Sequence, residues 1–380
     1  PTGVLRAIPD THGWHVARRG PSLAQTRAPS GLGVMSTASA VAAETFKVAA
    51  GATGARGCLL LEGSFCPVTL TADPGRAPGL PTGWSLDAML LGTGAIGTAT
   101  ALILSLMPVE GRLDLVDPER FEPENVGTYA IGGAMAAIDR PWKTTLAAQT
   151  LVRFTTREWH VRAADLPALV DRCDLRWPGL VLSGLDSSAA RRDAQHLWPD
   201  VLIDGATGDT MAGLHVVHGS GRPCLGCFLP PKAGPEVPVA SDLAAITSLP
   251  REVLVQGDRL LTEEIVQLAD ESHRAALREH VGRPLCGLAS AYGLTGDRED
   301  GYRPAVPFVA MAAAALVVGR LVAVETGHEP RANLVQYDVL AGPAHRTAER
   351  RRGSPTCDCS SHRGILDQVR SMRAARAVPG

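Results

Sequence analysis

Aromatic residues are scarce: six Trp, four Tyr and six Phe make up 4% of 380 residues. Charge of one sign is missing too, with 37 Lys and Arg against 39 Asp and Glu and a formal net charge of −2. A basic stripe interleaved with stacking rings is therefore not available, which argues against nucleic acid as the main partner. Long uncharged runs are few. Within the longest, residues 88–107 have the length of a membrane span but contain three glycines, and read as a buried strand turning into a buried helix, so no membrane segment is expected. The stretch PTGVLRAIPDTHGWHVARRG has no charged segment followed by an apolar one, so no secretory leader is evident and the cytoplasm is the expected compartment. Cysteine is sparse at eight residues, two pairs of them closely spaced, which favours metal or thiol chemistry over a disulfide framework.

What is present is enough apolar residue, 45%, for one large α/β domain or two smaller ones. Residues 1–83 are rich in Gly, Pro, Ala and Thr and carry one helix, VMSTASAVAAETFKVAAG, as expected of an N-terminal extension packed on a main domain. After TADPGRAPGLPTG the pattern changes to alternating strands and helices, the signature of a parallel sheet with crossover helices. DAMLLGTG, RLDLVD, EWHVRA, GLVLSGLD and DVLIDGAT read as strands, and a helix is expected around 141–154. The segment 232–304 is long and irregular, with one charged amphipathic helix, LTEEIVQLADESHRAALREHVG; an excursion of that length inside an α/β domain is usually functional. The small-residue helix PFVAMAAAALVVGRLVAVETG returns to the core, NLVQYDVL supplies a late strand, and 346–380 reads as a polar, basic tail. The expected fold is thus a Rossmann-like α/β domain over 84–345, with a long insertion and a tail.

LLGTGAIGTA places Gly92, Gly94 and Gly97 between the first strand of that sheet and a helix. Such a turn brings backbone close to a phosphate and aims helix N-terminal amides at it. Asp117 follows Gly94 by 23 residues at the end of the next strand, where a carboxylate accepts hydrogen bonds from an adenosine ribose. NAD, FAD and ATP share that half of the ligand, so the loop and Asp117 leave the three open.

Taken in order, MLLGTGAIGTATALILSLMPVEGRLDLVDPERFEPENVGTYAI, DRPWKTT, LVLSGLDSSAARRD and CLGC resemble the motif series of ubiquitin-activating enzymes and their ThiF-like adenylyltransferase relatives. The resemblance covers residues 86–228 well and 280–360 loosely. It implies that the carboxyl terminus of a ubiquitin-like protein or a precursor peptide attacks the α-phosphate of ATP, giving an acyl adenylate and pyrophosphate. By position Gly92, Gly94 and Gly97 would line the nucleotide, Asp117 would hold the ribose, Asn125 and Lys143 would approach the phosphates, and Asp186 would hold Mg²⁺. The chemistry calls for the same types, because a fixed ammonium and a carboxylate-held magnesium stabilise charge developing on the leaving oxygens. A dehydrogenase needs neither. The resemblance further implies a homodimer.

One position departs from the pattern. Where the family carries Asn-x-x-Arg, this chain has Asn125 followed by Thr128, which supplies no charge. Arg120, Arg140, or Arg18 or Arg19 reaching across a dimer are the candidate replacements. The departure keeps a non-catalytic nucleotide-binding scaffold among the readings, beside a nicotinamide dehydrogenase and enzymes that activate a precursor peptide, a small acid or an RNA-linked carboxylate.

Cys224 and Cys227 form C-x-x-C, and Cys357 and Cys359 form C-x-C far downstream. Four thiolates on two short turns can hold one structural Zn²⁺ and pin the tail to the core, with His362 an alternative ligand. Cys286, alone near the end of the long insertion, is either a buried small apolar side chain or, as in thioester-forming relatives, the acceptor of the activated acyl group.

Overall fold

A computed structural model describes residues 5–17, 27–52, 57–208, 210–219, 223–230, 239–254, 259–283, 285, 288, 292 and 306–377. The chain divides into two compact units, Pro1–Pro230 with Ala305–Gly380, and Pro231–Pro304.

The first unit is built on an eight-stranded sheet. In chain order its strands are β4 (Trp84–Leu91), β5 (Val109–Val116), β6 (Phe154–Trp159), β7 (Leu180–Ser183), β8 (Val201–Gly208), β9 (Met211–His218), β10 (Leu334–Asp338) and β11 (Thr347–Glu349); β1–β3 form a separate sheet described below. The spatial order is β11-β10-β9-β8-β7-β4-β5-β6. The pairs from β6 through β8 are parallel, and β8–β9, β9–β10 and β10–β11 are antiparallel. β4 is central because its second half, Ala88 to Leu91, is apolar on both faces and wholly buried, as a parallel strand covered on both sides must be. Its C-terminal end feeds the Ala95–Ser105 helix within three residues.

The Pro307–Glu325 helix is long and apolar enough to cross a membrane, yet 89% of its apolar window is buried inside the fold. It lies against β8, β9 and the Ala95–Ser105 helix as the core helix of one face. Arg320 on this helix is buried at 2% exposure; its guanidinium bonds Glu329 and the Pro330 carbonyl, each at 2.9 Å, and the Ala332 carbonyl.

The N-terminal segment holds more than the expected helix. That helix, Gly31–Ala49, starts at Ser30, whose hydroxyl accepts the Gly33 amide, and it packs on a three-stranded antiparallel sheet of β1 (Arg6–Asp10), β2 (Gly13–Ala17) and β3 (Glu62–Phe65). A buried Lys47–Glu44 pair ties the helix to the chain leading into β3: Lys47 donates to the Cys58 carbonyl and Glu44 accepts the Leu60 amide, both at 2.9 Å.

The basic tail also folds. The Arg363–Ala377 helix is fastened by Arg373, whose Nε and a terminal nitrogen grip both oxygens of Asp171 at 2.8 and 2.9 Å, and by Arg370 on Asp200 at 2.6 Å. Its anchors are charges nearly two hundred residues away, a pattern that leaves no local apolar signal.

The second unit carries the helices Val239–Thr247, Arg251–Leu254, Glu263–Val266 and Glu271–Arg278 around Leu243, Leu261, Ile265, Val266, Leu277 and Leu285. The single amphipathic helix expected over 261–282 is two short ones, because Asp270 takes an extended conformation, caps the second, and hands its amide to the Ser248 hydroxyl at 2.7 Å.

Candidate functional site

The C-terminal ends of β4, β5 and β7 meet around the glycine loop. Gly92 has φ of +76°, and a Cβ there would stand 3.1 Å from the Gly184 carbonyl carbon and oxygen at the end of β7. A Cβ on Gly97 would collide with the Gly92 carbonyl oxygen, so helix and loop close on each other only without side chains. Gly94 caps the Ala95–Ser105 helix with no side-chain hydrogen bond, which leaves the first-turn amides uncapped by protein side chains. The room over Gly94 is bounded by the Tyr129 hydroxyl, 3.5 Å from where a Cβ would be.

Asp117 ends β5 and is nearly buried. Its Oδ2 accepts the Thr93 amide at 2.8 Å and its Oδ1 the Glu119 amide at 2.9 Å. Burial pushes its carboxyl above the ordinary aspartate value, against the pull of the Lys143 charge. An ionised carboxylate has about four acceptor positions, so two remain for other donors.

Lys143 opens the Lys143–Thr150 helix and is buried. Its amide bonds the Glu119 carbonyl at 3.1 Å and its ammonium pairs with the Glu119 carboxylate. Burial works against that charge, but Tyr129 and Glu119 outweigh it, and Lys143 holds its proton above the ordinary lysine range. Burial likewise pushes the Tyr129 phenol up, so at neutral pH it is an uncharged neighbour and Glu119 provides the counter-charge. Glu119 and Tyr129 were not legible as site residues: they lie in the polar loop after β5, with no periodicity to place them.

The other candidates are placed as follows. Asn125 turns its Oδ1 back onto the Glu122 amide at 2.8 Å, and the Thr128 hydroxyl donates to the Asn125 carbonyl at 3.1 Å, so both serve their own turn. Arg120 lies over the Trp142 ring, 4.1 Å from its centroid, and donates to the Arg140 carbonyl; Arg140 pairs with Glu122. Asp186 is exposed just beyond β7, two residues after the Gly184 that abuts Gly92. Arg18, Arg19 and Cys286 lie outside the described residues.

The four cysteines converge. Cys224 at the start of the Leu225–Phe228 turn lies 3.4 Å, sulfur to sulfur, from Cys357, Cys227 lies 3.5 Å from Cys359, and Cys224 and Cys227 are 3.9 Å apart. Tetrahedral Zn–S bonds of about 2.3 Å put the sulfurs about 3.8 Å apart, so the set fits one such ion. The Ser354 amide donates to the Cys227 sulfur at 3.3 Å, and Trp198 and Leu366 pack around the cluster. His362 pairs with Asp358 and is not among the four converging groups.

The strand order and the backbone-lined loop at the parallel strand ends define a Rossmann-like nucleotide-binding domain. The chain belongs to the ThiF family, whose model matches residues 85–360, and it is on that membership an ATP-dependent adenylyltransferase. Among solved structures it is similar to E. coli MccB with MccA, at 13% identity and a TM-score of 0.44, covering 74% of this chain and 67% of that one. E. coli MccB with ATP gives 12% and 0.43 over 74% and 67%, and PaaA 12% and 0.36 over 68% and 61%. No curated protein matches the sequence.

Proposed function

We propose that this chain adenylates the carboxyl terminus of a polypeptide with ATP and Mg²⁺, the substrate being a ubiquitin-like protein or a precursor peptide. The observation that carries this reading is the meeting of the loop of Gly92, Gly94 and Gly97, which carries no side chain at those three positions, with Asp117 and the buried, proton-holding Lys143.

In this reading the loop amides take a phosphate, Asp117 uses its two remaining acceptor positions on the ribose, and Asp186 faces Mg²⁺ bound with the nucleotide. The substrate carboxylate forms a bond to the α-phosphorus while the bond to the pyrophosphate oxygen breaks. Lys143 exchanges its Glu119 partner for the phosphates, which stabilises the charge that leaves. Asn125 supports the loop through its own turn.

The cysteines bind Zn²⁺ as a structural ion. A homodimer is supported by the Ala134–Asp139 helix, none of whose residues is buried, with Met135 and Ile138 exposed at 67% and 71%. A partner subunit would also be a source of the positive charge that Thr128 does not supply. The natural-product and ubiquitin-like substrates share this chemistry, and the cytoplasm suits both.

Calorimetry with ATP and magnesium, and separately with NAD, tests the reading. ATP binds and NAD does not; NAD binding without ATP binding would replace adenylation by hydride transfer.

A further inference from the structure

Across the sheet from the Pro307–Glu325 helix, the ends of β8, β9 and β10 line a cavity of about 470 Å³. Gly205 faces Val317 of that helix, so the alternating neighbours Asp204 and Ala206 face the other way. The floor is made of small residues, Ala206, Gly208 and Gly213, and Phe228 and Leu229 give it apolar walls. Its polar side chains are Arg191, Thr207, His215, Gln336 and Arg351, and none of the described residues lining it carries a carboxylate.

Asp204 stands behind this surface with no exposure at all. It accepts the Ser183 hydroxyl at 2.8 Å and His215 Nδ1 at 2.9 Å, and lies 3.7 Å from Arg191 Nε. With the Asp204 carboxylate as acceptor, His215 donates from Nδ1–H, which leaves Nε2 without a protein partner among the described residues. Arg351 is held by its backbone, with its amide on Asn333 Oδ1 at 2.7 Å and its carbonyl accepting from Asn333 at 3.0 Å, while its guanidinium has no partner among the described residues. A buried network of this kind stabilises a sheet no better than apolar residues of the same volume. What it supplies is orientation of donors toward one place.

We propose that this cavity receives the side-chain carboxylate of an acidic residue in the polypeptide substrate, upstream of the carboxyl terminus that is activated; the proposal rests on the adenylation reading above. Two guanidinium groups, an imidazole and an amide favour a carboxylate head, and the apolar walls suit the methylenes of Glu. The activated terminus itself has to reach the glycine loop on β4, two strands from β8, so the carboxylate proposed for this cavity is a different one from the carboxylate that is activated. The two places are joined through Arg191, which donates to the Leu185 carbonyl at 2.8 Å, directly before Asp186.

The test walks one residue, Glu or Gln, through an otherwise neutral, dye-labelled decapeptide ending in glycine, and reads binding to the full chain by anisotropy with a non-hydrolysable ATP analogue and magnesium present. At one or two positions Glu binds about tenfold tighter than Gln, and Arg351→Ala, on an exposed side chain, removes the difference. His215→Gln narrows the difference without abolishing it. No position preferring Glu, or a preference that survives Arg351→Ala, overturns the proposal. Calorimetry of the analogue on the same samples separates the two readings: nucleotide binding without a Glu preference removes the cavity alone, and a Glu preference without nucleotide binding removes the adenylation reading.

Discussion

Asp117 accepts the amide of Thr93 at 2.8 Å, so the carboxylate that ends β5 holds the glycine loop that ends its neighbour β4. The same side chain proposed to grip the ribose therefore also fixes the loop proposed to grip the phosphate.

Asp117→Asn is expected to do two things at once. It keeps one acceptor but puts an amide nitrogen into a buried place facing backbone N–H groups, which costs about 1–3 kcal/mol of stability. It should also weaken ATP binding about tenfold by removing charge-assisted bonds to the ribose. Chemical denaturation and calorimetry on the variant measure both; lost stability with unchanged ATP affinity would make Asp117 a loop fastener only.

The four-cysteine centre gives a second expectation. One zinc per chain should be found by elemental analysis. Because binding free energy at such a site is folding free energy, chelation should lower the melting temperature. Trp198 packs on the cluster, so metal removal should shift tryptophan emission, and Trp198→Phe should suppress that shift. Cys227→Ser should mimic chelation while leaving ATP affinity intact. Metal-free protein of full stability would reject the site.

How much of this was readable in advance follows from how local each signal is. The loop of Gly92, Gly94 and Gly97 and the acid at Asp117 declare themselves because strand, turn and helix are contiguous, and the fold follows from them. Cys224 and Cys357 are 133 residues apart, yet the two short-spaced pairs C-x-x-C and C-x-C were enough to name all four converging cysteines, because each pair is a local signal even though the pairs meet only through tertiary structure. Glu119 and Tyr129 had no signal, sitting in a loop whose path is set by the Arg120 and Trp142 bridge. Asp204 and His215 face each other across β8 and β9, and only the hairpin register reveals them as a pair. The N-terminal sheet was hidden for another reason. Its strands are four or five residues long and interrupted by Gly and Pro, too short for alternation to stand out.

Cys286 lies outside the described residues, and its role rests on its place near the end of the 232–304 segment. If it accepts the acyl group, its thiolate forms a bond to the acyl carbon of the adenylate and AMP leaves, giving a thioester. With the polypeptide substrate, Cys286→Ala should retain pyrophosphate exchange and lose the reducible covalent adduct seen on gels. An adduct that persists would assign the acceptor to another cysteine, and a wild type that never forms one would mean direct transfer from the adenylate.

The last expectation concerns pH and the buried Arg320. Glu329 bonds Arg320 at 2.9 Å and lies 2.7 Å from His218 Nε2. Burial opposes ionisation of Glu329, but His218 and Arg320 outweigh it, and the carboxyl titrates below the ordinary glutamate value of 4.5. A carboxyl whose folded value lies below its unfolded one contributes stability that is present above the unfolded value and is lost as pH falls through the folded one. Arg320 keeps its carbonyl partners at Pro330 and Ala332 in a Glu329→Gln variant, so the loss at neutral pH should be about 1–2 kcal/mol rather than the larger cost of an orphaned buried charge. Denaturant midpoints of wild type and Glu329→Gln should therefore differ at pH 6, and the gap should shrink as pH falls below the ordinary glutamate value of 4.5 and Glu329 takes up its proton. A gap that stays constant over that range would mean that the charge of Glu329 does no stabilising work and that shape alone holds the 329–333 turn against the core helix.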